Sequence, residues 1–443
     1  MYFLYRVATA LAMLFLAPYY ALRSWRRGEH VGAVRERFGM VPQALLARAR
    51  SSASGGEPIW IHAVSVGEVL AAKPLAGALK QRFPGHAIFV STTTETGRRL
   101  AADRLNCADG IFYFPLDWNI AVRRALRAIS PGLVIVMETE IWPNFLRAAR
   151  RAGVPVIFAN ARISERSFAR YERWKFLVGD FFARVLLDAD LFLAQTPDDS
   201  ARLIEMGAPE SRVEVTGNLK YEGEPPAVSP LGVWLEGEIQ RQERWPLLVA
   251  GSVVAGEEEA VIAAYDLVQR QWRHALLILA PRKPDRFSDA AEIASAAGWT
   301  VVRRSSLDFG APLDENADVL LLDSIGELAG LYSLADAVFV GGSLVPSGGH
   351  NILEPAWFSR VPVFGPSMEN FRDMASQFLS AKAAVQVSSG QQLGKVWVQL
   401  IEDNALRERM GKSAHALTER NRGATARSLE RIIAVMESKE SSA

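Results

Sequence analysis

Residues 341–355 have the sequence GGSLVPSGGHNILEP and follow the apolar run AVFV at residues 337–340. Glycines let a backbone approach a ligand closely, and the N-terminus of the helix predicted beyond them favours negative charge. The motif is not a P-loop, because GxxxxGK[ST] is absent, and it does not contain GxGxxG. Strand, glycine-rich loop and helix in this order predict one unit of an α/β fold with a ligand-binding loop.

Three side chains in this stretch allow more than one interpretation. Asn351 and Glu354 lie three residues apart and could form a capping pair at a helix start. The functional alternative is that Glu354 accepts hydrogen bonds from ribose hydroxyls. His350 and Glu354 lie four residues apart, but no third metal ligand follows by spacing, so we expect no metal there.

The same alternation of short apolar runs with helical periodicity extends on both sides and predicts parallel sheets covered by helices. A chain of 443 residues is long for a single hydrophobic core, so we expect two doubly wound α/β domains. The predicted strands are 59–64, 87–91, 133–137, 154–159, 191–194 and 213–215 in the first domain, and 246–250, 275–279, 300–303, 319–322, 337–340 and 361–364 in the second.

Prolines and charge in the segment that begins EGEPPAVSPLG predict a linker between these domains. We expect the first domain at residues 25–225, the linker at 226–245, the second domain at 246–425, and a closing helix or tail at 426–443. The 50 Lys plus Arg nearly balance the 49 Asp plus Glu, which argues against a nucleic-acid partner. Cys107 is the only cysteine, which excludes an intramolecular disulfide and a multi-cysteine metal site.

Residues 7–22, VATALAMLFLAPYYAL, carry no charge and predict a membrane anchor over residues 1–24. The run is slightly short for a bilayer and contains Pro18, so spanning and half-inserted geometries both stay open. A cleaved signal peptide is the alternative. We expect a retained anchor, because positive charge after an apolar segment keeps the following chain in the cytoplasm. The arginines concerned are Arg23, Arg26, Arg27, Arg35 and Arg37.

Acidic residues follow two predicted strands of the first domain. Residues 62–68, HAVSVGE, place Glu68 at a helix start, where a carboxylate is ordinarily a structural partner of the helix dipole. Glu138 and Glu140 occupy a similar place after another strand. Because the carboxyl ends of parallel strands meet at one edge, these carboxylates should share a cleft and push their pKa values apart. One of them could then act as a base.

Other candidates have equally plausible structural explanations. Lys220 could supply positive charge near the linker or be an ordinary surface lysine. Arg282, in APRKP after a strand, could bind a phosphate or lie in a solvated basic turn. The turn Gly251-Ser252 could face an anion or only cap a helix. Ser65 is not predicted to be a nucleophile, because GxSxG is missing.

Together these motifs closely resemble the 3-deoxy-D-manno-octulosonic acid (Kdo) transferases of lipopolysaccharide synthesis. The anchor also matches that family, and so do blocks that run in order from Trp60 to about Asp373. The blocks are HAVSVGEV, STTTETG, METEIWPN, NARISERSF, GNLKYE, APRKP, DSIGEL, FVGGSLVPSGGHNILEPA and FGPSMENFRD. The resemblance implies a GT-B fold, with an acceptor-binding first domain and a nucleotide-sugar-binding second domain facing it across a cleft.

The resemblance also implies a CMP-Kdo donor, a lipid A precursor (lipid IVA) as acceptor, no metal or other cofactor, and catalytic domains on the cytoplasmic side of the inner membrane. It assigns Glu68 as general base in an inverting transfer, and Glu138 and Lys220 as supports of the transition state. The implied nucleotide contacts are Pro281, Arg282, Ile325, Gly326, Glu327, Leu328, Asn351, Ile352, Leu353 and Glu354.

Two alternative functions stay open from the sequence. Another GT-B enzyme, a UDP-sugar transferase or epimerase, could share the glycine-rich loop of the second domain. A membrane-tethered nucleotide-sugar-binding protein without turnover belongs to a different class, and the set of Glu68, Glu138 and Lys220 argues against it.

Overall fold

The computed structural model describes residues 2–7, 9–11, 31–52, 54–222, 225–226 and 229–440. The chain divides into two compact units. The first comprises Met1–Glu222 and Arg422–Ala443, and the second comprises Gly223–Asn421. Within the described residues, each unit contains one parallel sheet of seven strands.

The sheet of the first unit has the strand order β3-β2-β1-β4-β5-β6-β7. Its direction of winding reverses between β1 and β4, which are paired in parallel, and ligands of such sheets bind at the carboxyl edge beside this reversal. The strands are β1 Ile59–His62, β2 Ile88–Thr92, β3 Gly110–Tyr113, β4 Leu133–Met137, β5 Val156–Ala161, β6 Leu191–Ala194 and β7 Val213–Val215.

Helices cover both faces of this sheet, and several begin at a residue suited to capping. Ser65, Thr94 and Thr196 each accept a hydrogen bond at a helix N-terminus through the side chain. The helices of this unit are Val31–Arg37, Gln43–Ser52, Val66–Arg82, Glu95–Arg104, Asn119–Ile129, Pro143–Arg151, Glu165–Leu186, Pro197–Glu205 and Ala424–Glu440, with short 3₁₀ turns at Glu210–Arg212 and Leu219–Tyr221.

The sheet of the second unit has the order β10-β11-β9-β8-β12-β13-β14, and its winding reverses between β8 and β12. Its strands are β8 Leu247–Val253, β9 Leu276–Pro281, β10 Val301–Arg303, β11 Val319–Leu321, β12 Ala337–Val340, β13 Val363–Phe364 and β14 Val385–Gln386. Its helices are Pro230–Arg241, Glu258–Gln269, Phe287–Ala296, Leu328–Leu331, Leu353–Ala356, Arg372–Ser380, Gly390–Glu402 and Asn404–Arg420, with 3₁₀ turns at Pro284–Arg286, Arg304–Ser306, Tyr332–Leu334 and Glu369–Phe371.

Three local features differ from the sequence prediction. The edge strands Gly110–Tyr113 and Val385–Gln386 are absent from the sequence prediction, because the first begins with glycine, a residue depleted in strands, and the second has only two residues. The segment predicted as a linker contains the helix Pro230–Arg241, which begins at the capping residue Ser229 and buries Leu231 among other residues. The composition of this segment is polar, but proline is well tolerated at the first position of a helix.

The C-terminal helix Ala424–Glu440 packs within the first unit, although it follows the second unit in sequence. Its residues Ala424, Ile432 and Met436 are buried in a hydrophobic cluster with residues of the first sheet. Ser428 donates a hydrogen bond from Oγ to Oγ1 of Thr216, at 3.1 Å. The sequence predicts only a closing helix or tail at residues 426–443, because a helical pattern does not show which unit the helix contacts.

The predicted anchor lies only partly within the described residues. Residues 2–7 and 9–11 are helical, and residues 12–24 lie outside the described part. Tyr2 donates a hydrogen bond to Asp188 at 2.6 Å, and Tyr5 donates one to Asp117 at 2.9 Å, so this helical segment is tied to the first unit. Among the residues that the structure describes, no helix has the length and apolarity needed to cross a membrane.

Candidate active site

Glu68 lies in the first turn of the helix Val66–Arg82, directly after β1 at the reversal of the first sheet. Only 6% of the residue is exposed. Its Oε2 accepts a hydrogen bond from the backbone N–H of Val64 at 2.8 Å, and its Oε1 accepts one from Oγ of Ser65 at 2.8 Å. Two donors therefore hold the carboxylate in one orientation.

The environment of Glu68 raises the pKa of its carboxyl group to about 7. Burial is the main cause, and the negative charge of Glu138 adds to it. The hydrogen bonds from Val64 and Ser65 act in the opposite direction. A carboxyl group that titrates near neutral pH can accept a proton from a substrate hydroxyl and later release it to solvent.

Glu138 and Lys220 form an ion pair beside this helix start. Nζ of Lys220 lies 2.8 Å from Oε1 of Glu138, and each side chain is about one-fifth exposed. A Cβ atom built on Gly67 would lie 3.9 Å from the same Nζ, so the lysine approaches the turn that carries Glu68. The structure thus brings together the three residues that the sequence resemblance singled out in this unit.

Two features of the local backbone orient the side chains of Glu138 and Lys220. Glu138 follows β4 with φ of 53°, in the left-handed region that a glutamate adopts only when its surroundings enforce it. Lys220 lies in the 3₁₀ turn Leu219–Tyr221, and Oδ1 of the buried Asn160 accepts a hydrogen bond from the N–H of Leu219 at 2.9 Å. Asn160 therefore helps to place Lys220.

Sequence reasoning gave no role to Asn160 or to the hydroxyl of Ser65. Asn160 also has a positive φ, 57°, which asparagine tolerates better than most residues. Its position at the end of a predicted strand was the available signal. Burial followed by the charge of Glu138 raises the pKa of Glu140, so a third carboxyl group belongs to the same electrostatic environment.

In the second unit, the predicted nucleotide residues Arg282, Asn351 and Glu354 follow β9 and β12. Burial raises the pKa of Glu354 to about 7, although the positive charge of Arg282 and a hydrogen bond with Asn351 lower it. Burial and Arg282 together lower the pKa of His350 to about 4, which keeps this imidazole neutral at physiological pH. Arg282 is an exposed cation beside a carboxyl group and a neutral imidazole, a combination suited to a polar, anionic ligand.

The other predicted nucleotide residues differ in what they expose. Ile325 is 73% exposed, whereas Ile352 and Leu353 have no exposed surface and could contact a ligand only through their backbone. The carboxylate of Glu327 is engaged by the guanidinium of Arg304 at 3.0 and 3.1 Å. Gly326 has φ of 97°, which suits a tight turn before Leu328. Pro281 is buried at the end of β9.

Among the described residues, no three His, Cys, Asp or Glu side chains group in a way that could hold a metal ion. His350 and Glu354 thus have no third ligand beside them in the described part of the chain.

Comparison with known proteins gives a family. A family model described as 3-deoxy-D-manno-octulosonic-acid transferase (kdotransferase) matches residues 32–223. The chain is 35% identical over 429 residues to the 3-deoxy-D-manno-octulosonic acid transferase of Bordetella pertussis, covering 95% of this chain and 97% of the relative. It is 33% identical over 375 residues to the protein of that name from Haemophilus influenzae, covering 84% and 86%.

Among solved structures, a putative UDP-N-acetylglucosamine 2-epimerase from Listeria monocytogenes matches with a TM-score of 0.53, covering 87% of this chain and 98% of the other. At 12% sequence identity this likeness shows the fold alone. Two Rossmann-like α/β domains of the kind found in GT-B proteins are confirmed. The N-terminal anchor helix predicted with them is not seen in the described residues.

Proposed function

The chain belongs to the 3-deoxy-D-manno-octulosonic acid transferase family, and from this premise we propose that it moves Kdo from CMP-Kdo to a lipid A precursor, lipid IVA, with Glu68 as general base. Kdo transfer as such follows from the family. The donor, the acceptor and the mechanism are our proposal. The observation that carries the mechanism is a buried carboxyl group with a pKa of about 7, held by two hydrogen bonds next to the pair of Glu138 and Lys220.

The proposed reaction is a single inverting displacement. The oxygen of an acceptor hydroxyl attacks the anomeric carbon of Kdo, and the bond from that carbon to the phosphate oxygen breaks. CMP leaves with the electron pair, and the hydroxyl proton goes to one carboxylate oxygen of Glu68. Catalysis requires this base within hydrogen-bond reach of the hydroxyl and a pKa close to the working pH.

In this mechanism, Glu138 affects the pKa of the base Glu68, and Lys220 offsets negative charge that develops in the transition state. The negative charge of Glu138 contributes to the raised pKa of Glu68, which makes Glu68 a better proton acceptor once it is ionised. Lys220 balances the charge of Glu138 at 2.8 Å and brings a cation near the reacting groups. In a metal-independent reaction, the charge on the departing phosphate must be met by cations of the protein, and Lys220 is the candidate in this unit.

We assign the protein to the cytoplasmic side of the inner membrane, with the N-terminal segment as its attachment. The uncharged run at residues 7–22 and the arginines that follow it support this assignment. Phe3 and Leu4, in the described part of this segment, are 76% and 68% exposed. An attached enzyme meets a lipid-linked acceptor at high local concentration. Removal of residues 1–24 should shift the protein from the membrane fraction to the supernatant, and an unchanged distribution would contradict the assignment.

The direct test supplies the purified protein with lipid IVA and either CMP-Kdo or UDP-hexoses. We expect mass spectrometry to detect acceptor that has gained Kdo only in the presence of CMP-Kdo, and to count the Kdo residues added. Transfer from UDP-sugars alone would overturn the donor assignment. Unchanged transfer by a Glu68→Gln variant would overturn the mechanism while leaving the substrates intact.

A further inference from the structure

Glu257 is a buried carboxylate that the proposed reaction does not use. It precedes the helix Glu258–Gln269 and has no exposed surface. Its Oε1 accepts hydrogen bonds from the backbone N–H groups of Ser343 and Leu344, both at 2.8 Å. Its Oε2 accepts them from Gly342 at 2.6 Å and from Val254 at 3.1 Å. Four backbone donors therefore converge on one side chain.

These donors come from two loops at the reversal of the second sheet. Val254 follows β8, and residues 342–344 belong to the glycine-rich loop after β12, the strand paired with β8. The hydrogen bonds of a carboxylate to N–H groups are of the stronger, charge-assisted kind, and a buried charge without them would be costly. Glu257 thus joins two loops at the edge of the sheet where ligands of this fold bind.

Because Glu257 binds backbone N–H groups of the glycine-rich loop, these groups are not free to bind a nucleotide. Successive backbone N–H groups in such a loop commonly form a cradle for phosphate. Here the N–H groups of Gly342, Ser343 and Leu344 already have a partner in Glu257. A phosphate would have to displace a buried carboxylate to use them.

A further backbone hydrogen bond links the glycine-rich loop to the residues predicted to bind the nucleotide. The N–H of Gly349 donates to the carbonyl of Gly342 at 2.7 Å, immediately before His350. A Cβ atom on Gly342, whose φ is 67°, would lie 2.7 Å from the ring of His350. The backbone position at Gly342 therefore determines where the segment from His350 to Glu354 begins.

We propose that Glu257 is a positioning residue for the nucleotide site. Its carboxylate binds the amides of the glycine-rich loop and holds the loop in the conformation that binds the nucleotide. Asn351 and Glu354 then face the nucleoside, and the phosphate is left to Arg282. This inference rests on the proposed function, which makes CMP the nucleotide.

A variant of the full chain tests the positioning role. In Glu257→Gln an amide NH₂ replaces one acceptor and faces backbone donors, so the loop should lose part of its support. The loss of one to two charge-assisted hydrogen bonds predicts about a ten-fold or larger rise in the Kd for CMP and in the KM for CMP-Kdo. We expect kcat to change little, because the loop supports the ground state and the transition state alike.

Glu258→Gln is the matched control. Glu258 is the next residue in the chain and is also fully buried, but its carboxylate pairs with Arg286 at 2.8 Å rather than with the glycine-rich loop. It should lower the melting temperature without changing the Kd for CMP. An equal effect of both variants on the Kd, or an unchanged Kd in Glu257→Gln, would overturn the proposal.

Hydrogen exchange of the unmodified protein provides a second test that does not depend on a variant folding. The amides of Gly342, Ser343 and Leu344 should be protected without nucleotide, and CMP should add little. Fast exchange that slows only with CMP would show that the phosphate, not Glu257, takes these amides and would overturn the proposal. If the unmodified protein does not bind CMP, the donor assignment fails, whereas exchange in the free protein still tests the Glu257 contact.

Discussion

Nζ of Lys220 lies 2.8 Å from Oε1 of Glu138, although 82 positions separate these residues in the chain. The contact joins the turn after β7 to the turn after β4 and lies beside the helix start that carries Glu68. Because Glu138 contributes to the raised pKa of Glu68, this pair belongs to the electrostatic setting of the proposed base.

Glu138→Gln should move the pH profile of transfer to lower pH. The negative charge of Glu138 is one cause of the raised pKa of Glu68, so its removal lowers that pKa. A general base must be ionised, and the acidic limb of kcat/KM, expected near pH 7, should therefore shift down. An acidic limb that does not move would contradict the electrostatic role.

Ser65→Ala should move the same limb in the opposite direction. The hydrogen bond from the hydroxyl of Ser65 lowers the pKa of Glu68, and its loss raises that pKa further. Kinetics from pH 5.5 to 9 would show lower activity at neutral pH and recovery at alkaline pH. A uniform loss at every pH would indicate a structural role for Ser65 instead.

Lys220→Ala should reduce kcat by about 10²-fold, the order found when one group that stabilises transition-state charge is removed. Lys80→Ala is a suitable control, because Lys80 also forms an ion pair at 2.8 Å, with Asp109, near the amino ends of the first strands. We expect this control to retain transfer activity. Similar activities of the two variants would show that Lys220 has no special part in the reaction.

Glu68→Gln should reduce the activity about 10²- to 10⁴-fold. The same variant should stabilise the fold at alkaline pH. The folded-state pKa, about 7, lies above the ordinary 4.5, so ionised Glu68 destabilises the folded protein increasingly as pH rises between these values. The gain in the free energy of unfolding at pH 8 should be at most about 3 kcal/mol.

Thermal melting at pH 8 and at pH 4.5 measures this effect. The Gln variant should melt higher than the unmodified protein at pH 8, and the difference should be small at pH 4.5, where Glu68 is protonated in the folded state. A lower melting temperature at both pH values would show that the carboxyl group contributes more through its hydrogen bonds than burial of its charge costs.

Ile432→Ala should destabilise the first unit by about 2–5 kcal/mol, the usual cost of truncating a buried isoleucine. Its neighbour Ile433 is only partly buried, so Ile433→Ala should cost less. Hydrogen exchange should become faster in the helix Val66–Arg82 and stay unchanged in the helix Gly390–Glu402. Faster exchange in the latter would contradict the assignment of the C-terminal helix to the first unit.

Much of this architecture could be predicted from local patterns. The predicted strands at 133–137, 191–194, 213–215 and 337–340 agree with the observed ones, because buried parallel strands are short apolar runs that end in polar or glycine residues. The short edge strands and the helix in the predicted linker were missed. Their sequences carry weak periodicity, and packing decides their structure.

In the candidate site, too, some residues could be predicted from local sequence patterns and others could not. Glu68 and Glu138 could be singled out because each follows a strand, and the carboxyl ends of parallel strands share an edge. The engagement of Glu327 by Arg304, 23 residues away in the chain, could not be predicted, because it depends on side chains from separate loops. The hydrogen bonds of Asn160 and Glu257 could not be predicted from the sequence for the same reason.

Local sequence patterns are sufficient to predict the α/β class, most strands and the loops that carry the chemistry, because these depend on periodicity and turn residues within a few positions. Three contacts are visible only in the folded structure: Lys220 pairs with Glu138, Glu257 binds the amides of the glycine-rich loop, and the helix Ala424–Glu440 packs in the first unit. These contacts join distant parts of the chain, and burial and hydrogen-bond satisfaction select them only when the whole fold has formed.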